Sequence, residues 1–163
     1  MEETGWQQWD GPWEALPDLS NLDFFKGLEG PLPSPRVRVE IETVDEGLHI
    51  GWVNRYRRGG SAGWWEIGID ICEERCWGRG LGTEALALWV DYLFGSTGFG
   101  RLGMSSWSGN HRIVRVAEKL GFVLEARFRN ARQVRGRRYD ALSWGMLRDE
   151  WLRYRKDWPG IGL

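Results

Sequence analysis

A short glycine-rich turn between a strand pattern and a helix pattern constrains this chain more than any other stretch. Residues 75–85 read RCWGRGLGTEA, with three glycines, Gly78, Gly80 and Gly82, in five positions. Upstream, WEIGIDI alternates as a strand does; downstream, TEALALWVDYLF places Leu86, Val90 and Leu93 on one helical face. Glycines let the backbone come close to a ligand, and the helix start beyond them directs free N–H groups and a positive dipole end at an anion. A phosphate or pyrophosphate is the guest such a turn favours. A P-loop requires Gly-Lys-Ser/Thr and a dinucleotide fold requires GxGxxG, and the spacing Gly78-x-Gly80-x-Gly82 is neither. A plain surface turn uses the same residues, so the loop takes its meaning from its surroundings.

The chain ahead of the loop divides in two. Residues 1–35 carry Pro12, Pro17, Pro31, Pro33 and Pro35, which interrupt any long element, and Trp6, Trp9 and Trp13, which make the segment too apolar for a free tail. Ser20 can cap a short helix through Leu28. This segment is expected to lie against the domain and wall one side of a pocket, a partner contact being the alternative. From Arg36, Val37, Val39 and Ile41 alternate with Arg38, Glu40 and Glu42, as in a half-buried strand. A turn at Asp45-Glu46-Gly47 leads into a returning strand over 48–53, and residues 55–63 read as a basic, solvated loop. Residues 64–72 then form the strand that enters the glycine turn.

Beyond the helix, residues 101–107 read as a strand, followed by a helix that Asn110 can cap and Gly121 can close. Residues 122–129 and 137–147 are two strands around Val134-Arg135-Gly136, and a last helix covers 149–156. Strands flanking two helices imply an α/β sheet covered by helices.

Several ordered motifs resemble the GNAT N-acetyltransferase superfamily. Arg75-Cys76-Trp77-Gly78-Arg79-Gly80 matches its acyl-CoA loop Q/R-x-x-G-x-G/A at every fixed position. The run from Asn110 through Arg115-Val116-Ala117-Glu118-Lys119-Leu120-Gly121-Phe122 is similar to the family's N-x-x-(S/A)-I-R-(V/L)-(A/Y)-E-K-L-G-F segment. The ending EARFRN…GRRYDALSWGMLRDEW, and Trp77 to Ala85, resemble the Rim-type branch that acetylates ribosomal proteins. With EIGIDI these motifs cover residues 36–152 in the right order.

The resemblance implies a GNAT acyl-CoA N-acyltransferase fold: a mixed, mostly antiparallel sheet flanked by helices, in one domain over 1–163. Its N-terminal part would be reduced or atypical, since no convincing first strand precedes Arg36. Acetyl-CoA is the implied co-substrate, with no metal. By the same resemblance Ile69 and Ile71 offer backbone groups to pantetheine and thioester. Arg75, Trp77, Gly78, Arg79, Gly80, Leu81, Gly82 and Thr83 would hold the pyrophosphate, and Asn110 would bond the cofactor arm. Without the family, Ile69 and Ile71 are core residues and Asn110 is a helix cap.

Acetyl transfer needs a neutral amine, a donor that polarises the thioester carbonyl and a route for the proton. Glu66, on the strand entering the loop, is the catalytic candidate, with Asp70 on the same face in reserve. The competing reading makes Glu66 a solvent-facing strand residue or an ion-pair partner. Relatives often place Ser at the position of Ile113 or Tyr at that of Ala117, and neither residue here can donate a proton. The acceptor is expected to be a primary amine, a protein N-terminus by the Rim-type tail, with polyamines and aminoglycosides as small-molecule alternatives. A catalytically weak acyl-CoA-binding regulatory module is the reading from a different class.

The 163 residues carry a net charge of −1 with a pI near 6.2, so nothing in the totals calls for nucleic acid or an anionic membrane. No apolar run approaches the ~18 residues a bilayer needs, and the first residues are acidic and polar, so a cytoplasmic location is expected. Cys72 and Cys76 read as free thiols, because His49 and His111 stand at no metal-ligand spacing from them. A homodimer would supply any part of the acceptor wall that the chain lacks.

Overall fold

The computed structural model describes Trp9 and residues 33–59 and 64–157. The helix expected over residues 20–28, and all of the aromatic N-terminal segment except Trp9, lie outside the described residues.

Among the described residues six strands form one sheet: β1 Arg38–Glu42, β2 His49–Arg58, β3 Trp64–Ile71, β4 Arg101–Trp107, β5 Val123–Val134 and β6 Arg137–Leu147. Their spatial order is β1-β2-β3-β4-β6-β5, and every neighbouring pair is antiparallel except β3 and β4. A parallel pair needs a crossover, which helix α1, Leu81–Ser96, provides. Helix α2, His111–Lys119, joins β4 to β5, and helix α3, Arg148–Tyr154, follows β6. This is the mixed, mostly antiparallel sheet with flanking helices that the family resemblance implies. No helix among the described residues is long and apolar enough to cross a membrane.

Strand alternation sorts the side chains between two faces. Val53, Ile67, Leu102, Met104, Leu142, Trp144 and Met146 pack with Leu86, Val90, Leu93 and Phe94 of α1, Ala117 of α2 and Trp151 of α3. Burial contributes ~1.5–3 kcal/mol for each large apolar side chain, which holds the helices to this face. By register, the opposite face carries Tyr56, Arg58, Glu66, Gly68, Asp70, Ser105 and Ser143. The helix that crosses from β3 to β4 is fixed at both ends. Its start rests on β3, and Arg148 closes its far end, donating to Phe99 O at 2.9 Å, to Thr97 O at 2.6 Å and to Phe94 O.

Three expectations are corrected. The strand read over 48–53 continues to Arg58, and residues 55–58 are not a solvated loop. Arg55 is 8% exposed: its guanidinium lies 4.2 Å from the Trp65 ring centroid and donates to Pro35 O and Arg36 O, both at 2.8 Å. Those partners let a charged residue enter the sheet. The apolar face of the first strand is largely open, with Val37 and Val39 exposed and Ile41 packed on the core, because β1 has no outer neighbour among the described residues. The strand read over 122–129 runs on to Val134, broken in register between Phe128 and Arg132.

Candidate functional site

The site begins where two strands part. The parallel register of β3 and β4 consists of Trp65 opposite Leu102 and Glu66 opposite Gly103, and it does not continue towards Ile71. In an antiparallel ladder only alternate residues turn their N–H and C=O to a given neighbour. Cys72 N–H donates to Ile50 O at 2.8 Å, so residues 68, 70 and 72 serve β2. Ile67, Ile69 and Ile71 therefore turn backbone groups to the edge that β4 has left. A cavity of about 940 Å³ lies along this opening, bounded by residues 67–71 of β3, Met104 to Trp107 of β4, the glycine turn and α2.

The glycine turn meets the cavity at the end of β3. Gly78 and Gly80 adopt φ of +75° and +90°, which non-glycine residues disfavour, and a Cβ at either position would meet nothing within 4 Å. Gly80 is the N-cap of α1 and supplies no side-chain cap; Thr83 and Glu84 donate their N–H groups to its carbonyl at 2.9 and 3.0 Å. The N–H groups of Leu81 and Gly82 are thus the ones left for an anion at the helix start. A Cβ on Gly82 would stand 3.6 Å from Ile71 and 3.8 Å from Ile69, in ordinary contact, so this turn of helix is seated on the two isoleucines.

Aromatic and basic side chains close the outer end. The Trp77 indole donates to Ile71 O at 2.8 Å. The Arg112 guanidinium lies 3.9 Å from the Trp77 ring centroid and 4.6 Å from that of Trp9. Asn110 caps α2, its Oδ1 accepting from Ile113 N at 3.3 Å, while its Nδ2 donates to Trp9 O at 3.0 Å. Trp9 also stacks on Trp107 with ring centroids 6.3 Å apart.

Of the residues singled out from sequence, Ile69, Asp70, Ile71, Trp77, Gly78, Gly80, Gly82, Thr83 and Asn110 line the one cavity. Arg75 is turned elsewhere, 3.5 Å from Glu73 and 4.0 Å from Glu46. Arg79 and Leu81 contribute no lining side chain.

Glu66 sits directly behind the cavity wall and is fully buried, so it is not a solvent-facing strand residue. Its carboxylate accepts from Tyr56 Oη at 3.1 Å, Ser105 Oγ at 3.2 Å, Trp64 Nε1 at 3.3 Å and Arg58 Nη1 at 3.2 Å. The ion pair with Arg58 bears out the salt-bridge reading, and Arg58 also donates to Ser105 Oγ at 2.9 Å. Tyr56, Arg58 and Ser105 line the cavity themselves, so Glu66 reaches it through them.

Sequence reasoning missed these three. Tyr56 and Arg58 were hidden in a stretch too basic to read as a strand, and Ser105 stands 39 residues from Glu66. Of the two positions where a proton donor is absent, Ile113 lines the cavity, whereas Ala117 is buried in the core. His111 opens α2 exposed at the cavity rim, and Tyr139 packs edge-on against Trp107 at 4.7 Å.

A sequence model of the acetyltransferase (GNAT) domain matches residues 2–123. The putative ribosomal N-acetyltransferase YdaF of Bacillus subtilis is 30% identical over 86 residues, 53% of this chain and 46% of that protein. The chain spans less than half the length of the curated relatives it matches. Among solved structures, a GCN5-related N-acetyltransferase from Brucella melitensis superposes with a TM-score of 0.67 at 24% identity, covering 94% of this chain and 68% of that one. A second, the putative acetyltransferase yncA from Salmonella typhimurium with its cofactor acetyl-CoA, gives a TM-score of 0.58 at 21% identity, over 65% of this chain and 62% of that one. With a family match over most of its length and a sheet opened beside a glycine turn, this chain belongs to the GNAT acetyltransferase family.

Proposed function

We propose that the chain is an acetyl-CoA-dependent N-acetyltransferase that passes an acetyl group directly to a primary amine. One observation carries the reading: the backbone edge freed where β4 leaves β3 and the uncapped start of α1 open into the same cavity. An extended acyl-pantetheine arm fits such an edge as an added strand, and a pyrophosphate fits the helix start. Ile69 and Ile71 would hold the arm, and Gly78 to Thr83 the phosphates. Trp77 already occupies Ile71 O, so its role is to lock the turn against β3. Bound acetyl-CoA supplies an acyl thioester open to attack by an amine.

The chain's own groups supply the rest. The Ile69 N–H, on the open edge, is the donor for the thioester carbonyl. The amine's proton passes to a hydroxyl at the cavity wall, Tyr56 or Ser105, as that hydroxyl gives its own proton to Glu66. Asp70 lines the cavity directly and is the second acceptor. No general acid is assigned, because a thiolate is a good leaving group at neutral pH.

The Rim-type loop and tail support a protein N-terminal α-amine as acceptor. The contact of Trp9 with Trp107 supports a place for Trp9 in the same domain, at the cavity wall. A cytoplasmic location suits both substrates, and a homodimer would supply what the acceptor wall lacks.

Thiol release from acetyl-CoA, followed with N-terminal peptides, polyamines and aminoglycosides, tests the activity. Turnover is expected with a free α-amine. An acetyl-CoA thermal shift without turnover on any amine would make the chain a regulatory acyl-CoA-binding module instead.

A further inference from the structure

We propose that the β5–β6 hairpin is a docking surface for an acidic polypeptide whose N-terminal amine enters the adjoining cavity, an inference that rests on the acetyltransferase reading above. Residues 127–138 contain six arginines and no acid, in a chain whose net charge is −1. The turn itself, Arg135-Gly136, has φ of +48° and +73°, the positive pair of a tight two-residue hairpin, with Val134 opposite Arg137.

The nearest acid is committed to shaping the hairpin. Asp140 accepts from Asn130 N–H at 2.9 Å and pairs with Arg127 at 2.5 Å, and that backbone bond, then Arg127, hold its carboxyl below the usual range. These contacts pin the register break between Phe128 and Arg132. Arg129, Arg135, Arg137 and Arg138 are exposed; Arg129 adds its field to that of Arg127 at Asp140, and the other three form no ion pair with a carboxylate among the described residues.

The basic patch is continuous with the cavity. Phe128, Ala131 and Arg132 line the cavity, and Phe128 is 61% exposed. β5 ends the sheet, so its outer edge faces no further strand among the described residues. An extended peptide laid beside it would place carboxylates against guanidinium forks and an apolar side chain on Phe128. Inside the cavity the lining carries Arg58, Arg112, Arg115, Lys119 and Arg132 against the single acid Asp70. Phosphates can account for the three on α2, and Arg58 is paired with Glu66, so the selecting charge is that of the hairpin arginines beside the cavity mouth. A basic rim repels a polyamine and attracts an acceptor with negative charge beyond its amine. Nucleic acid is the weaker fit, since single strands stack on several aromatics and residues 127–138 offer only Phe128.

The test measures binding without cofactor, by anisotropy of peptides labelled at the C-terminus, with a free N-terminus followed by Asp and Glu or by Asn and Gln. The acidic peptide is expected to bind at least about tenfold tighter at low salt and to lose that advantage near 0.5 M salt. The double variant Arg135→Glu/Arg138→Glu should abolish the preference while keeping the acetyl-CoA thermal shift. Equal affinities, a preference that survives the double variant, or displacement of the peptide by an oligothymidylate at lower concentration would each overturn the docking surface. Binding through these arginines with no acetylation of the bound peptide leaves the docking surface standing and contradicts the acetyltransferase reading. Acetylation of both peptides with equal kcat/KM does the reverse.

Discussion

Glu66 shows how far a residue's role depends on its neighbours. Sequence places it on the strand that enters the loop, and alternation puts it on the face opposite the helices. Its environment, though, comes from β2 and β4: Tyr56 and Arg58 reach it by antiparallel register and Ser105 from across the parallel pair. With four side chains donating to it, the carboxylate acts through the hydroxyls it orients. Glu66→Gln keeps the shape but removes the proton acceptor. It is expected to lower kcat by ~10²–10⁴ while leaving the KM for acetyl-CoA unchanged, in the range that general-base removal produces. A variant with undiminished kcat would leave Asp70 as the acceptor. Glycines are more legible than carboxylates at this scale, because Gly78 and Gly80 stand where the backbone turns to positive φ, and few other residues can. Arg75 shows the opposite: it fits the loop motif by position, yet its guanidinium turns to Glu73 and Glu46.

At the scale of elements, periodicity located α1, α2 and the strands, and it failed where a charged residue is buried. Arg55 entered the sheet because backbone carbonyls and Trp65 receive its guanidinium, contacts made with residues up to 20 positions away. Arg148 does comparable work for α1, whose C-terminal end has no basic residue in its last turn. Its three bonds to Phe94, Thr97 and Phe99 carbonyls place a cation where the helix dipole is negative. Arg148→Ala is expected to cost ~2–4 kcal/mol in urea unfolding, since charge-assisted bonds and a helix-end charge are lost together. A loss below about 0.5 kcal/mol would mean that solvent replaces the staple without penalty. Because α1 begins at the glycine turn, the same variant should loosen the anion site at its other end.

For the whole molecule, the order of motifs carried more than any one of them. A strand, a glycine turn, a helix and the Asn110 segment, in that order, carried the family resemblance, and the resemblance implied free backbone groups on Ile69 and Ile71 beside a phosphate site. The parallel β3–β4 pair that stops after Glu66 is where the sheet opens. What sequence could not reveal was where its charge lies: the six arginines of residues 127–138, in a chain of net charge −1, belong to a hairpin that stands beside the cavity. The central claim is that the opening holds acyl-CoA through the start of α1, and a thermal shift tests it most directly. Acetyl-CoA at about 100 times its Kd should raise Tm by about 5–10 °C. Gly80→Glu, which puts bulk and negative charge where the phosphates would sit, should abolish that rise. Gly136→Glu, at a positive φ of +73° in the hairpin turn and outside the cavity lining, carries a comparable backbone strain and should keep the rise. A shift that survives Gly80→Glu, or none in the unmodified chain, would contradict the account.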